Sequence, residues 1–222
     1  MNKQIVIIDI CGTLFKSNTT MDFLDYMFVS NPHYQRYRKL RKLLFIRALN
    51  KISLRMLHVD PIRAYGISFL RGYTKQELQE HAEKFYYDYL TPHKINESWA
   101  IIDTYRKPKY SLVIVSATLD CVANVIAEKL GVDKCYSSTL EYDNSTCKGK
   151  LDNDLLLSKL QYLYKQGMRP PYAMTISDNY SDLNLLVNSK EAYSICSKGG
   201  EHKWAALLKK ESKDCNYIII SY

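Results

Sequence analysis

Asp9 is the side chain in this sequence that is best placed to do chemistry. It closes the apolar run Ile5–Ile8, and Cys11, Gly12 and Thr13 come soon after it. A continuous β-branched run predicts a parallel strand buried on both faces, and parallel sheets bind ligands beyond the carboxyl ends of their strands. A carboxylate at such an end is able to act as a nucleophile, and Gly12 lets the backbone turn sharply away from it.

A second apolar run, Leu112–Val115, ends on the small polar sequence Ser116, Ala117 and Thr118. The pattern of residues 121–130 predicts a helix directly after this run. The Ser116 hydroxyl and the amide groups that follow it would then lie near a helix N-terminus, which is a suitable site for an anion. Taken alone, the serine is equally consistent with an ordinary helix cap.

Two carboxylates four residues apart, Asp178 and Asp182, follow another short apolar run near residues 172–177. Spacing by four places them on one face if the loop continues into a helix. Hard oxygen ligands on Asp9 and Asp178 suit Mg²⁺, which keeps several waters and bridges to phosphate oxygens. An acidic pair at a helix start also serves capping and dipole compensation, so its spacing alone does not establish a metal site.

These segments resemble the motifs of the haloacid dehalogenase-like hydrolases, in the same order along the chain. Residues Asp9 to Thr13 are similar to the first motif, written D-x-D-G-T, and the resemblance implies that Asp9 becomes transiently phosphorylated. Ser116 and the neighbouring Ala117 match the second motif, which binds the transferring phosphoryl group. The acidic fourth motif completes the implied Mg²⁺ ligands, which are Asp9, the backbone carbonyl of Cys11, Asp178 and, in support, Asp182, with Asn179 as a further contributor.

Cys11 stands where the family has a second aspartate, the residue that protonates the leaving group and then activates water. A positioned acid or base of this kind contributes about 10²–10⁴ in rate. A thiol with an ordinary pKa of about 8.5 donates weakly and is a poor base at neutral pH. The substitution therefore leaves open a slow or retargeted phosphatase, a phosphotransferase and a catalytically silent protein that binds a phosphorylated ligand. A metal-independent dehalogenase is disfavoured by the acidic pair.

The resemblance also implies a cation that neutralises the phosphate, and three lysines are candidates. Lys159 is preferred because residues 154–164 have a helical pattern and the family's cation lies near the start of that helix. Lys148 and Lys150 fall in residues 139–151, which we predict to be a hairpin with its turn at residues 143–145. A solvated lysine is the ordinary alternative for all three.

The alternation of strands and helices predicts an α/β fold with a doubly wound, Rossmann-like parallel sheet. The predicted strands lie near residues 3–9, 111–116, 134–138, 172–177, 192–195 and 217–220. The predicted helices before the second strand are 21–29, 34–56, 61–70, 75–89 and 95–105, with a capping box from Thr74 to Glu77. The resemblance to the phosphoserine-phosphatase-like branch, which includes lipid-phosphate phosphatases, implies a helical cap over residues 18–106 and a core made of residues 1–17 and 107–222.

Basic residues are concentrated in the predicted cap. The 222-residue chain has a formal net charge of +8, and only Asp60 is acidic between His33 and Arg63. Apolar residues recur at helical spacing through this segment. It is suited to contact an anionic membrane or to hold a phosphorylated substrate such as a lipid head group, although a solvated cap surface has the same pattern. Nucleic acid is disfavoured because no recognised binding motif accompanies the charge.

Composition and cysteine usage point to a soluble cytoplasmic enzyme. The chain is 46% hydrophobic and 24% charged, which is enough to bury a sizeable core. Its six cysteines form no C-x-x-C pair and have no histidine at zinc-site spacing, which disfavours a structural metal or disulfide framework. The N-terminal apolar stretch contains Asp9, unlike a signal peptide, and no run approaches the length of a membrane-spanning helix.

Overall fold

A single mixed sheet organises the computed structural model of the protein, which describes residues 3–211 and 215–222. The strands of the described residues are β1 (Gln4–Ile8), β2 (Tyr110–Leu119), β3 (Lys134–Asp143), β4 (Thr146–Asn153), β5 (Tyr172–Ser177), β6 (Ser189–Cys196) and β7 (Asn216–Ser221). Their order is β4-β3-β2-β1-β5-β6-β7, and every pair is parallel except β3 with β4. The predicted α/β fold with a Rossmann-like parallel sheet is confirmed.

The first strand lies at the centre of this sheet. Val6 is aligned with Leu112 on β2 and with Met174 on β5. Side chains alternate across a strand, and β1 accordingly sends Val6 and Ile8 into one buried cluster and Ile7 into another. An unbroken apolar run suits both environments, which is why the sequence forms a strand here.

The helices are α1 (Thr19–Met27), α2 (Pro32–Leu40), α3 (Leu44–Leu57), α4 (Pro61–Ser68), α5 (Lys75–Phe85), α6 (Asn96–Thr104), α7 (Asp120–Leu130), α8 (Lys159–Lys165), α9 (Leu183–Val187) and α10 (Glu201–Glu211). A π-helical turn over Tyr86–Leu90 and a short 3₁₀ helix over Thr91–His93 follow α5. We call residues 18–106, which contain α1–α6, the helical insertion. Its division from the rest of the chain stays a prediction, and one continuous apolar cluster joins residues of the insertion to residues of the sheet.

The prediction of a single helix over residues 34–56 is wrong. Helix α2 ends at Leu40, and α3 begins after Leu43, whose backbone is extended. Arg38 and Arg41 at the end of α2 both bind the Asp25 carboxylate on α1, at 2.9 and 2.6 Å. These contacts hold the end of α2 against α1, whereas the sequence of the break contains only good helix formers.

Two local predictions are confirmed. Thr74 and Glu77 form the capping box at the start of α5, each side chain bonded to the backbone amide of the other. The β3–β4 hairpin turns at Asn144 and Ser145, which have positive φ angles of 45° and 71°. No helix among the described residues is long and apolar enough to cross a membrane.

Candidate active site

Asp9 lies directly after β1, at the carboxyl edge of the sheet. Its side chain is only 3% exposed. Its backbone N–H donates to the Ile176 carbonyl at 3.0 Å, and its Oδ1 accepts a hydrogen bond from the Ile10 N–H at 2.8 Å. The first bond fixes the Asp9 backbone against β5, and the second orients its carboxylate.

Lys159, the first residue of α8, lies between two buried carboxylates. Its Nζ is 3.0 Å from Asp9 Oδ1 and 2.6 Å from Asp182 Oδ2. Burial alone would lower the pKa of Lys159, but Asp182 and Asp9 raise it above its ordinary value, so the ammonium stays charged. Asp182 Oδ2 also accepts the Ser177 hydroxyl at 2.7 Å, which fixes the position of this carboxylate.

Asp178 lies beside the turn that follows Asp9. The Asp178 N–H donates to Thr13 Oγ1 at 2.9 Å, and the Thr13 hydroxyl is 3.4 Å from Asp178 Oδ1. Gly12, with φ of +63°, passes so close that a Cβ at this position would be 2.0 Å from Asp178 Oδ2. Burial and the nearby Asp9 raise the pKa of the Asp178 carboxyl to about 8.

Cys11 lies in the turn that follows Asp9 and is one of the residues that line the same site. The Sγ–H donates to the Ser17 carbonyl at 3.2 Å, and the Cys11 carbonyl is 3.3 Å from Thr13 Oγ1. Burial raises the pKa of the Cys11 thiol to about 12, with further contributions from the negative charges of Asp178 and Asp9. The thiol is therefore protonated at neutral pH.

Ser116 is fully buried near the end of β2, on the strand adjacent to β1. Its Oγ is 3.1 Å from Thr118 Oγ1 and accepts the Thr118 N–H at 3.3 Å. Helix α7 begins only at Asp120, so Ser116 is not the helix cap that it resembled in sequence. The strand extends beyond its predicted end at residue 116.

Arg63 on α4 is a site residue that sequence analysis did not single out. Its Nη2 donates to the Ala117 carbonyl at 2.7 Å, and its Nη1 forms an ion pair with Asp154. Burial would raise the pKa of Asp154, yet Arg63 holds it below its usual value. Arg63 thus links the helical insertion to β2, through Ala117, and to the segment between β4 and α8, through Asp154.

The other lysines considered from sequence lie elsewhere. Lys148 and Lys150 on β4 both form ion pairs with Glu141, each at 2.9 Å. The predicted helix over residues 154–164 begins only at Lys159, because Asp154 instead binds Ser138 and Arg63. Among the described residues, only Lys159 forms an ion pair with Asp9.

These side chains open into a cavity of about 1080 Å³ between the sheet edge and the helical insertion. The sheet edge contributes Asp9, Cys11, Ser116, Ala117, Lys159, Asp178 and Asn179 to its lining. The insertion contributes the cations Arg41, Lys42, Arg47, Lys51 and Arg63. The insertion also contributes the carboxylates Asp22 and Asp60, so its side of the cavity carries five cations and two acids.

A model of the haloacid dehalogenase-like hydrolase family matches residues 6–186, which include all of these sheet-edge residues. The chain belongs to this family. The predicted family and the prediction that the chain is a hydrolase are confirmed. No curated protein matches the sequence significantly.

Solved structures share the fold of this hydrolase at low sequence identity. A protein of unknown function from Bordetella pertussis Tohama I is 17% identical with a TM-score of 0.73, over 98% of this chain and 99% of its own. A phosphoserine phosphatase in its apo form is 14% identical with a TM-score of 0.59, over 97% and 94%. A phosphoserine phosphohydrolase-like protein from Francisella tularensis subsp. tularensis SCHU S4 is 18% identical with a TM-score of 0.59, over 98% and 95%. Each of these similarities covers nearly the whole length of both chains.

The donor set of this hydrolase fits a divalent cation. The carboxylates of Asp9, Asp178 and Asp182 are buried or partly buried in this site. Among the ion pairs of the described residues, only the ammonium of Lys159 contributes positive charge to them. That part of the chain has no cluster of three His, Cys, Asp or Glu side chains arranged to hold a metal. Mg²⁺ needs fewer side chains, because it keeps waters and binds substrate oxygens. Asp9, Asp178 and the Cys11 carbonyl are the oxygens that fit it, while Asp182 is engaged by Lys159.

Proposed function

We propose that the protein is a Mg²⁺-dependent phosphatase that hydrolyses phosphate monoesters through an aspartyl-phosphate on Asp9. The observation that carries this proposal is the contact of 3.0 Å between Asp9 Oδ1 and Lys159 Nζ at the carboxyl edge of the sheet, inside a basic cavity. An Asp9 oxygen attacks phosphorus and the ester oxygen leaves with a proton as an alcohol. Water then hydrolyses the acyl phosphate, which releases inorganic phosphate and restores the carboxylate.

The charges around Asp9 support this reaction. The Lys159 ammonium lies 3.0 Å from Asp9 Oδ1, where it can attract a phosphoryl group toward the attacking oxygen. In this proposal Lys159, Ser116 and Ala117 also contact the transferring phosphoryl group. Mg²⁺, held by Asp9, Asp178 and the Cys11 carbonyl, would neutralise phosphate charge in the transition state.

Cys11 limits the rate in this proposal. A thiol with a pKa near 12 is a weak proton donor to the leaving group, and in the protonated form that it keeps at neutral pH it cannot take a proton from water. The second step, hydrolysis of the aspartyl-phosphate, should therefore be slow. The alternatives are a phosphotransferase, in which an acceptor alcohol replaces water, and a catalytically silent relative that retains a phosphorylated ligand.

We further propose that the substrate carries negative charge beyond the phosphate that reacts. One buried anion needs only Lys159 and the metal, whereas the cavity wall adds cations across from them. Among the described residues, Lys42, Arg47 and Lys51 of this wall have no carboxylate in ion-pair contact, whereas Arg41 is paired with Asp25 and Arg63 with Asp154. A lipid head group and a soluble bisphosphate share this chemistry, and a panel containing both distinguishes them. The cytoplasmic location also stays a prediction, to be tested by cell fractionation.

The test is release of p-nitrophenol from p-nitrophenyl phosphate, whose good leaving group needs little help from an acid. We expect Mg²⁺-dependent release by the native chain and near-complete loss in Asp9→Asn. Asp152→Asn, which changes an exposed carboxylate on β4, is the matched control. Equal rates in the native chain and Asp9→Asn would overturn the proposal, and activity that survives EDTA would show that the hydrolysis needs no metal.

A further inference from the structure

Helix α3 is the least buried element of the helical insertion. None of its residues is buried. Four apolar side chains on it are exposed at spacings of four, three and four residues, namely Phe45 (70% exposed), Leu49 (48%), Ile52 (54%) and Met56 (73%). At 3.6 residues per turn these positions fall within an arc of roughly 60°. We call this arc the apolar stripe.

A different side of α3 forms a wall of the catalytic cavity. Arg47, Ala48, Lys51 and Leu54 line that cavity, and none of them belongs to the apolar stripe. A smaller cavity of about 370 Å³ opens among α2, α3 and α4, and Arg41 and Ile62 line both cavities. The apolar stripe is thus separated from the substrate site by the thickness of a single helix.

The apolar stripe lies in a strongly basic segment of the chain. Residues 33–59 contain no acidic residue. Within residues 3–211 and 215–222, several cations of this segment have no carboxylate in ion-pair contact, unlike Arg38 and Arg41. These cations are Arg36, Lys39, Lys42, Arg47, Lys51 and Arg55.

We propose that the apolar stripe docks this hydrolase on an anionic phospholipid bilayer. A helix that lies in the membrane interface buries one apolar face and has basic side chains near the lipid phosphates. The apolar stripe supplies the first feature. Arg55 on α3 and Arg36 and Lys39 on α2, which do not line the catalytic cavity, supply the second. A second copy of the chain would bring like-charged segments together, which opposes self-association through this face. A nucleic acid would satisfy the cations but would leave the apolar stripe in water.

This proposal goes beyond the phosphatase activity, because it states where the enzyme works. On a bilayer, α3 lies between the lipid head groups and the catalytic cavity. Lipid binding is measured without catalysis, so its failure leaves the proposed reaction untouched. Conversely, an inactive protein that binds vesicles would support the docking surface alone.

The test is co-sedimentation with sucrose-loaded vesicles of phosphatidylcholine, with and without phosphatidylglycerol. We expect the full chain to bind the vesicles that contain phosphatidylglycerol and to bind pure phosphatidylcholine at least about tenfold more weakly. Phe45→Ser/Ile52→Ser should lower the partition coefficient by roughly tenfold or more, because it removes two of the four side chains of the apolar stripe. Added salt should weaken binding by the native chain.

The matched control is Tyr217→Ser/Ile218→Ser, which removes exposed apolar side chains from β7. It should bind like the native chain. Hydrolysis of p-nitrophenyl phosphate in solution should be unchanged by either double substitution, which shows that the variants fold. Equal binding to both kinds of vesicle, or equal loss in the two double variants, would overturn the proposal. A native dimer that Phe45→Ser/Ile52→Ser converts to a monomer, without vesicle binding, would assign this face to a second copy instead.

Discussion

The Asp182 carboxylate holds the Lys159 ammonium in place beside Asp9, with its Oδ2 2.6 Å from Nζ. Asp182 is itself held by the Ser177 hydroxyl at 2.7 Å. The chain of contacts from Ser177 through Asp182 to Lys159 therefore ends on Asp9 Oδ1, at 3.0 Å. In this arrangement Asp182 serves as a positioning residue for the cation.

Lys159→Gln should lower kcat for p-nitrophenyl phosphate by roughly 10²–10³-fold, because one fixed positive charge at the phosphoryl site is removed. The variant also leaves Asp9 and Asp182 buried without their cation, so its melting temperature at neutral pH should fall. Lys148→Gln, on the hairpin, is the control and should match the native chain in both measurements. Native-like kinetics in Lys159→Gln would remove this lysine from the mechanism.

Cys11→Asp should raise steady-state turnover about tenfold or more, because a carboxylate at this position can both donate and accept a proton. The gain should be greater for substrates with poor leaving groups than for p-nitrophenyl phosphate. Cys11→Ser, which is similar in size and has no ionisable group at neutral pH, should give no gain. A failure of Cys11→Asp to accelerate turnover, together with tight retention of a phosphorylated ligand, would favour the silent binding protein.

Mg²⁺ should stabilise the chain more at about pH 8 than at about pH 5. The Asp178 carboxyl has a pKa of about 8 in the fold against 3.8 ordinarily. A raised carboxyl pKa gives stability that is fully present below the unfolded value and is lost as the pH rises toward the folded value. Mg²⁺ binds the ionised form and offsets that loss.

The measurement is the melting temperature of the metal-free chain across this pH range, with and without Mg²⁺. Asp178→Asn should flatten the metal-free decline and abolish the gain from Mg²⁺, while Asp152→Asn should change neither. A gain from Mg²⁺ that is the same at both pH values, and the same in Asp178→Asn, would contradict the assignment of Asp178 to the metal.

Sequence periodicity was sufficient for the sheet, because buried parallel strands require long apolar runs such as that before Asp9. Periodicity was not sufficient where contacts between distant parts of the chain determine where a helix begins or ends. The break between α2 and α3 depends on Asp25, and the late start of α8 depends on contacts of Asp154 with Ser138 and Arg63. No local pattern carries this information.

The roles of single polar residues were harder to predict than the elements that hold them. Arg63 is one of many basic residues in its segment, and only its contact with the Ala117 carbonyl distinguishes it. Likewise, the i to i+4 spacing of Asp178 and Asp182 suggested a shared role. In the structure Asp178 lies beside Gly12. Asp182 instead binds Lys159, which is 23 positions away from it in the chain.

Gly12→Ala should inactivate the enzyme and destabilise it more than the same change at Gly167. Both glycines have positive φ, +63° and +74°, so both substitutions incur the left-handed backbone cost of about 1–2 kcal/mol. Only at Gly12 would the new Cβ collide with the Asp178 carboxylate, whereas nothing lies within 4 Å at Gly167. Chemical denaturation and the p-nitrophenyl phosphate assay measure the two effects. Equal losses of stability and activity in both variants would contradict the close approach of Gly12 to Asp178.

Arg63→Met should loosen the helical insertion from the sheet edge and raise KM more than it lowers kcat. The substitution removes the bond to the Ala117 carbonyl and leaves Asp154 without its cation, at a cost of roughly 1–2 kcal/mol because Asp154 is partly open to water. Arg63→Lys keeps the charge but cannot span both partners as a guanidinium does, so it should restore only part of the loss. Arg36→Met, an exposed cation on α2, is the control. The readouts are KM and kcat for p-nitrophenyl phosphate and the rate of proteolysis within the insertion. If Arg63→Met matched Arg36→Met in KM, kcat and proteolysis rate, Arg63 would not join the insertion to the active site.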